Sequence, residues 1–282
     1  MKSGAMVLMM LMMAPMEAEL KPESLAAFRA YMGQADRSME ARATAAAGRL
    51  QPQRGQAPLI EAWSQDNPIE VKDALIHDWL GAVFVPGAKV EDAVRVLQDI
   101  AHYPQIYSGD ILTAKMVRRD GDRLRVLFRV VKKKVITVVL ETEYDVDYRK
   151  ISDRTTQVWS RSVRVAEVEN AGKAGERVKP PDTGWGFLWR LNTYWHLQEK
   201  DGGLVMECRA VSLTRDIPAA LSWIIKPMVT SLPREALEGT LEKTRTAVAA
   251  AASTRAAAGT PRPAVPRRAG PAGGGRSAPR PL

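Results

Sequence analysis

The segment RLRVLFRVVKKKVITVVLETEYDVDYRK, residues 123–150, constrains the fold more than any other stretch. Leu124, Val126, Phe128 and Val130 share one face, as do Ile136, Val138, Leu140 and Tyr144, while the opposite faces carry Arg123, Arg125, Arg129 and Glu141, Glu143, Asp145. Strict alternation of apolar and polar residues is the signature of a half-buried strand. A hairpin closing around Lys133 would oppose positions that sum to 266. Phe128 would then face Val138, Arg125 would face Glu141, and Arg123 would face Glu143. Apolar meets apolar and plus meets minus in one register.

The flanking chain repeats the pattern. Asp120-Gly121 is a hairpin turn signal. TTQVWSRSVRVAEVE (155–169) reads as a further strand, and the polar loop 170–184 is a candidate lid. GFLWRLNTYWHLQEKDGG (186–203) reads as a strand that turns at Asp201-Gly202 and returns as LVMECRAVSLTRD. Pairs summing to 403 place Trp195 opposite Cys208, Thr193 opposite Ala210 and Leu197 opposite Met206. That face sets wide rings against small residues and suits a cavity wall or a packed core. The other face pairs His196 with Glu207 and Tyr194 with Arg209, and is expected to be solvated.

Upstream, HDWLGAVFVPG from residue 77 gives a first strand ending in Pro-Gly. Val90, Val94, Leu97 and Ile100 follow at helical spacing up to Pro104. Residues 19–76 read as a helical extension and linker. A loosely packed helix carries a thin stripe of Leu25, Phe28 and Met32, and a second short helix is expected around 59–76. A long apolar helical run starts near residue 217, with Asp216 as N-cap, and kinks or breaks at Pro227 and Pro233.

Charge is unevenly placed. The chain of 282 residues carries a formal +9, but six arginines after residue 252 account for 6 of it and leave +3 elsewhere. Residues 253–282, rich in Ala, Gly, Pro and Arg, read as a disordered tail. A basic tail allows contact with an anionic membrane surface, while the folded part has no basicity that suggests nucleic acid. The one cysteine, Cys208, excludes an intrachain disulfide and a cysteine-based metal cluster. Residues 1–18, MKSGAMVLMMLMMAPMEA, have the form of a secretory signal peptide, so export to the periplasm or outside is expected.

Strand, helices, six strands and a long final helix, in that order, resemble the START-like (SRPBCC, helix-grip) superfamily, which includes polyketide cyclases and coenzyme Q-binding proteins. GAVFVPGAKVEDAVRVLQDIAHYPQIY and VSLTRDIPAALSWIIKPMV carry the resemblance, over residues 77–252. It implies an α+β fold in which a curved antiparallel sheet wraps a long C-terminal helix around an apolar cavity. The expected lining is Phe128, Val138, Leu140, Tyr144, Leu191, Trp195 and Cys208 from the sheet, with Leu221, Ile225, Met228 and Leu232 from the helix. Arg190 and Asn192 are the polar head-group candidates, reaching inward if the register slips by one. Tyr103 and Tyr107 bracket a loop at the cavity mouth or simply anchor it. No catalytic residue, metal ligand or cofactor motif stands out. The expected activity is non-catalytic binding or transport of an apolar small molecule or lipid. A cyclase- or aromatase-like enzyme using Arg190, Asn192 and Tyr144 is one alternative, and an interaction module with a filled core is another.

Overall fold

The computed structural model describes residues 17–44, 49–133, 137–216 and 222–259, with the backbone alone for 222–230 and 259. The signal-like residues 1–16, the helix entry 217–221 and the tail from 260 lie outside the described residues. In chain order the elements are β1 (Ala18–Glu19), α1 (Pro22–Arg42), β2 (Leu59–Ala62), β3 (Ile69–Val71), β4 (Ala74–Pro86) and α2 (Val90–Gln98). A 3-10 turn (Ile100–His102), α3 (Tyr103–Ile106), β5 (Ile111–Asp120), β6 (Arg123–Lys133), β7 (Thr137–Ser152) and β8 (Thr155–Glu169) follow. The chain continues with β9 (Arg177–Val178), β10 (Thr183–Gly184), β11 (Arg190–Lys200), β12 (Gly203–Arg215) and α4 (Ser222–Gly259).

Among the described residues ten strands form one antiparallel sheet, ordered β2-β4-β12-β11-β8-β7-β6-β5, with β3 also on β4 and β9 on β8. The long last helix lies along β4 on the inner face, which is the α+β helix-grip arrangement implied by the element order. Gly81 permits its close approach. A Cβ there would stand 2.6 Å from both Leu241 Cδ1 of α4 and Ile60 Cδ1 of β2. Leu237, Leu241, Val248 and Ala252 of α4 are buried with Val83, Met206, Leu197 and α2 in the main core. At the far end Arg255 clasps Asp92 of α2 at 3.0 Å and the Gly87 carbonyl at 2.9 Å.

Several expectations are corrected. Residues 59–71 form β2 and β3 rather than a helix, because Leu59, Ile60, Ile69 and Val71 add to the free edge of β4. The strand expected from residue 77 begins at Ala74. α4 is described from Ser222 and stays helical through Pro227 and Pro233, so no break falls there, while the entry that Asp216 was expected to cap lies outside the described residues. It also extends to Gly259, which removes Arg255 from the tail and gives it a structural role.

The 155–169 strand and the β11/β12 pairing match the sequence reading, including Trp195 opposite Cys208 and Tyr194 opposite Arg209. The β6/β7 hairpin keeps its predicted faces but slips by four, so its pairs sum to 270. Phe128 opposes Thr142, Val130 opposes Leu140, and Arg125 opposes Asp145. Arg125 still bonds carboxylates, at 2.6 Å to Asp145 and 3.1 Å to Glu143.

The largest correction concerns the outer face of β11 and β12. It is not solvated, because α1 lies across it. Phe28, Met32, Ala35 and Met39 recur every three or four residues and pack on Trp159, Trp189, Tyr194 and Leu213, so α1 is not loosely attached. The charged residues beneath it are matched. Arg209, 2% exposed, bonds Asp78 at 2.6 Å and Ser38 of α1 at 2.7 Å, while Tyr31 donates to Asp78 at 2.7 Å. Glu207 receives Arg42 at 3.0 Å and Arg49 at 3.2 Å. The chain is therefore three-layered: α1, sheet, α4.

Candidate functional site: a hollow on the inner sheet face

The register places the inner face in rows that cross the sheet. One row runs Gly81, Cys208, Trp195, Val158, Tyr148, and it is buried beneath the described half of α4. The next runs Trp79, Ala210, Thr193, Ser160, Val146, and the one after runs His77, Ser212, Leu191, Ser162, Tyr144. Side chains at the middle of a ten-stranded sheet, on the face spanned by a helix, are normally sealed. Here Trp79, Ala210, Thr193, Ser160, Val146, Leu191 and Ser162 are only half-buried. Small residues at the centre, between Trp79 on one side and Tyr144 on the other, leave this hollow of the sheet unsealed among the described residues.

An aromatic wall closes the side towards β6 and β7. Tyr103 stacks on Phe128 with centroids 5.4 Å apart, Phe128 meets Tyr144 at 5.8 Å, and Tyr103 meets Tyr107 edge-on at 4.9 Å. Tyr103 and Tyr148 both donate to the Leu97 carbonyl at 2.7 Å, and Tyr107 bonds Thr244 of α4 at 3.0 Å. These hydroxyls fasten α2, α3 and α4 to the sheet. Burial pushes the Tyr107 and Tyr144 hydroxyls up to about 12, so both stay protonated at neutral pH.

Phe128, Leu191, Trp195, Cys208 and Tyr144 all belong to the inner core, with Val138 half-buried and Leu140 buried on the same face. Leu232 lies apart from them. It lines a cleft of about 250 Å³ between α4 and the chain around Gly109, Asp110 and Lys132. Leu221 and the side chains of Ile225 and Met228 lie outside the described residues. Arg190 and Asn192 do not reach the hollow, since the register does not slip. Arg190 bonds both carboxylate oxygens of Asp182, and Asn192 accepts the Ser162 N–H at 3.2 Å on the α1 side.

His196 is likewise corrected. It is 1% exposed under α1, and burial together with Arg49 and Arg42 pushes its pKa down to about 3. Cys208 is buried, and burial holds its thiol well above the usual range. Sequence reasoning missed His77 and Trp79. The odd positions of β4 point inward, and the alternation of HDWLGAVFV carried that signal. The loop 170–184 is held at its middle and its far end: β9 pairs with β8, β10 pairs with β1, and Glu167 accepts the Trp185 N–H at 2.9 Å and the Gly186 N–H at 3.1 Å. Among the described residues no group of three His, Cys, Asp or Glu could hold a metal, and no helix is long and apolar enough to cross a membrane.

The topology decides the architecture. It is a helix grip, one long C-terminal helix laid on the inner face of an antiparallel sheet. Solved structures similar to the chain include the STAR-related lipid transfer protein from Xanthomonas axonopodis, 18% identical, covering 64% of this chain and 96% of that one with a TM-score of 0.41. The Zhui aromatase/cyclase from Streptomyces sp. R1128 is 13% identical over 64% of this chain and 94% of its own, TM-score 0.39. Human STARD10 is 12% identical over 75% and 78%, TM-score 0.47. No protein-family model matches the chain, and no curated protein does. At TM-scores below 0.5 none of these likenesses carries a fold family or a function over to the chain; what the hollow does has to be read from its own residues.

Proposed function

We propose that this START-like chain binds and carries a hydrophobic small molecule or lipid in the hollow between the inner sheet face and α4, and performs no chemistry on it. The observation that supports this reading is the half-buried patch of small residues at mid-sheet, walled by Trp79, Phe128 and Tyr144. Burying about 200 Å² of apolar ligand there contributes about 5 kcal/mol, at about 25 cal/mol per Å². That suffices for useful binding with no reactive group. The enzyme alternative called on Arg190, Asn192 and Tyr144; only Tyr144 lies on the inner face, while Arg190 is engaged with Asp182 and Asn192 on the α1 face.

Native mass spectrometry on protein purified from its own host tests the proposal. The expected spectrum shows an added mass that leaves on extraction with organic solvent. Repeated recovery of the bare chain mass, from gentle preparations in which a known lipid-loaded control stays loaded, would overturn it.

A further inference from the structure

On the outer sheet face, the strip of β5 to β8 beside α1 holds an open cleft of about 260 Å³. Arg118, Arg123, Arg125 and Arg161 line it together with Trp159, Asp145 and Asp147. The register explains why they meet. Arg118, Arg125, Asp145 and Arg161 form one row across four adjacent strands, and Arg123, Asp147 and Trp159 form the next. Neighbouring strands lie about 4.8 Å apart, so long side chains from one row share the same space. Both carboxylates of the cleft already have a cation. Asp145 accepts from Arg125 at 2.6 and 2.7 Å, and Asp147 accepts from Arg149 at 2.7 Å. Arg161 is taken by Asp36 of α1 at 3.0 Å. Two guanidiniums are left over. Arg123 comes no nearer than 3.9 Å to Asp147, and the Arg118 side chain has no partner among the described residues. Both are exposed. Asp120, opposite Arg123 in register, stays outside the cleft and bonds neither of them.

Like charges directly opposite one another on paired strands are destabilising, and Arg118 stands directly opposite Arg125. A β-bulge puts it there. The register shift between Met116 and Arg118 leaves Val117 unpaired and turns Arg118, in its place, onto the outer face. Bulges are a recurrent means of re-aiming a side chain beside a functional site. We infer that this cleft binds a small oxyanion carrying two or more charges, a phosphoryl group above all. Four guanidiniums against two carboxylates leave its walls at a formal +2, which a single carboxylate would only half match. Guanidinium forks present paired N–H donors that fit phosphate oxygens. Arg118 and Arg123 close on the anion from β5 and β6. Arg125 has committed three of its five N–H donors to Asp145 and Glu143 and keeps others for the ligand. Trp159 stiffens the far wall, with Arg149 and Arg161 at 3.8 and 5.0 Å from its ring centroid. The cleft lies across the sheet from the hollow, and this inference does not rest on the carrier reading.

Calorimetric titration of the full chain with pyrophosphate tests the site, at low ionic strength where exposed charges are least screened. The expected result is saturable one-to-one binding, tighter than that of acetate. Arg118→Ala and Arg123→Ala should each weaken it about tenfold or more, the loss of charge-assisted hydrogen bonds. Lys115→Ala removes a cation of the neighbouring row that does not line the cleft, and should change affinity by less than about twofold. Vesicles containing phosphatidic acid separate the two sources of a phosphoryl group. Binding of pyrophosphate without vesicles marks a soluble ligand, whereas vesicle binding that is lost in Arg118→Ala marks a lipid head group. The site is overturned if the unmutated chain saturates with neither probe, or if acetate binds as tightly as pyrophosphate. Arginine variants that lose no more than Lys115→Ala also overturn it, because diffuse surface charge then accounts for the binding.

Discussion

At the scale of single residues, the most consequential pair is Arg209 with Asp78. Both are sealed between α1 and the sheet, 2% and 0% exposed by side chain, and joined by bonds of 2.6 and 2.9 Å. Removing one partner of such a pair leaves a buried charge alone, which typically destabilises by about 3–5 kcal/mol. Arg209→Leu is expected to lower the unfolding free energy by that amount, read as a lower urea midpoint. Arg209→Leu combined with Asp78→Leu should recover much of it, because no charge then remains to be paired. Parallel unfolding curves of the three proteins check this; a double variant no better than the single would show that the pair does more than balance itself. Arg209 also stacks its guanidinium 3.7 Å from the Trp63 ring centroid, so part of the loss is packing.

Among the elements, α4 and the two hairpins show what alternation can and cannot specify. The β11/β12 register was legible because Asp201-Gly202 fixes the turn: both residues have positive φ, 53° and 72°, as such tight turns require. The β6/β7 register was not, because the run of lysines at 132–134 carries no turn signature. A slip by four leaves every side chain on its own face and trades Glu141 for Asp145 opposite Arg125. Charge pairing was degenerate there and could not choose. For α4, the sequence marked an apolar helix but not its seating, which depends on a missing side chain at Gly81. Gly81→Val is expected to push Leu241 and Ile60 aside and destabilise by about 1–3 kcal/mol. Leu241→Ala should be less harmful in that background than alone, and thermal melts of the set read the coupling. Independent, additive losses would mean the helix approaches β4 elsewhere.

For the whole molecule, two neutral histidines, one on each side of the sheet, make stability depend on pH. Burial depresses His77 to about 4 and His196 to about 3, below the ordinary 6.5. The unfolded chain therefore binds more protons than the folded one below pH 6.5, and stability falls as pH falls towards the folded values. Each site contributes a slope of at most about 1.4 kcal/mol per pH unit, so between pH 6 and 5 the pair gives at most about 2.7. His196→Gln should halve the slope in denaturant titrations across that window, and an unchanged slope would place the loss elsewhere. Nothing in the sequence announced this for His196. Its strand neighbours Tyr194, Glu207 and Arg209 read as a wet face, and only α1, with its own Tyr31, Asp36, Ser38 and Arg42, turns that face into an interior. Helical spacing in α1 was visible, but which surface it would cover was not.

The clasp of Arg255 on Asp92 and Gly87 sits at one end of α4, while β1 at the chain's start pairs with β10, just before Gly186, whose carbonyl bonds the Arg215 N–H from which the chain leads towards the other end. A 38-residue helix is about 57 Å long. Fluorophores placed beside Ala18 and beside Gly259 would report the separation of these two tethers by energy transfer. A cargo that tilts the rod against the sheet would register as a change in that single separation, with no need to label the interior.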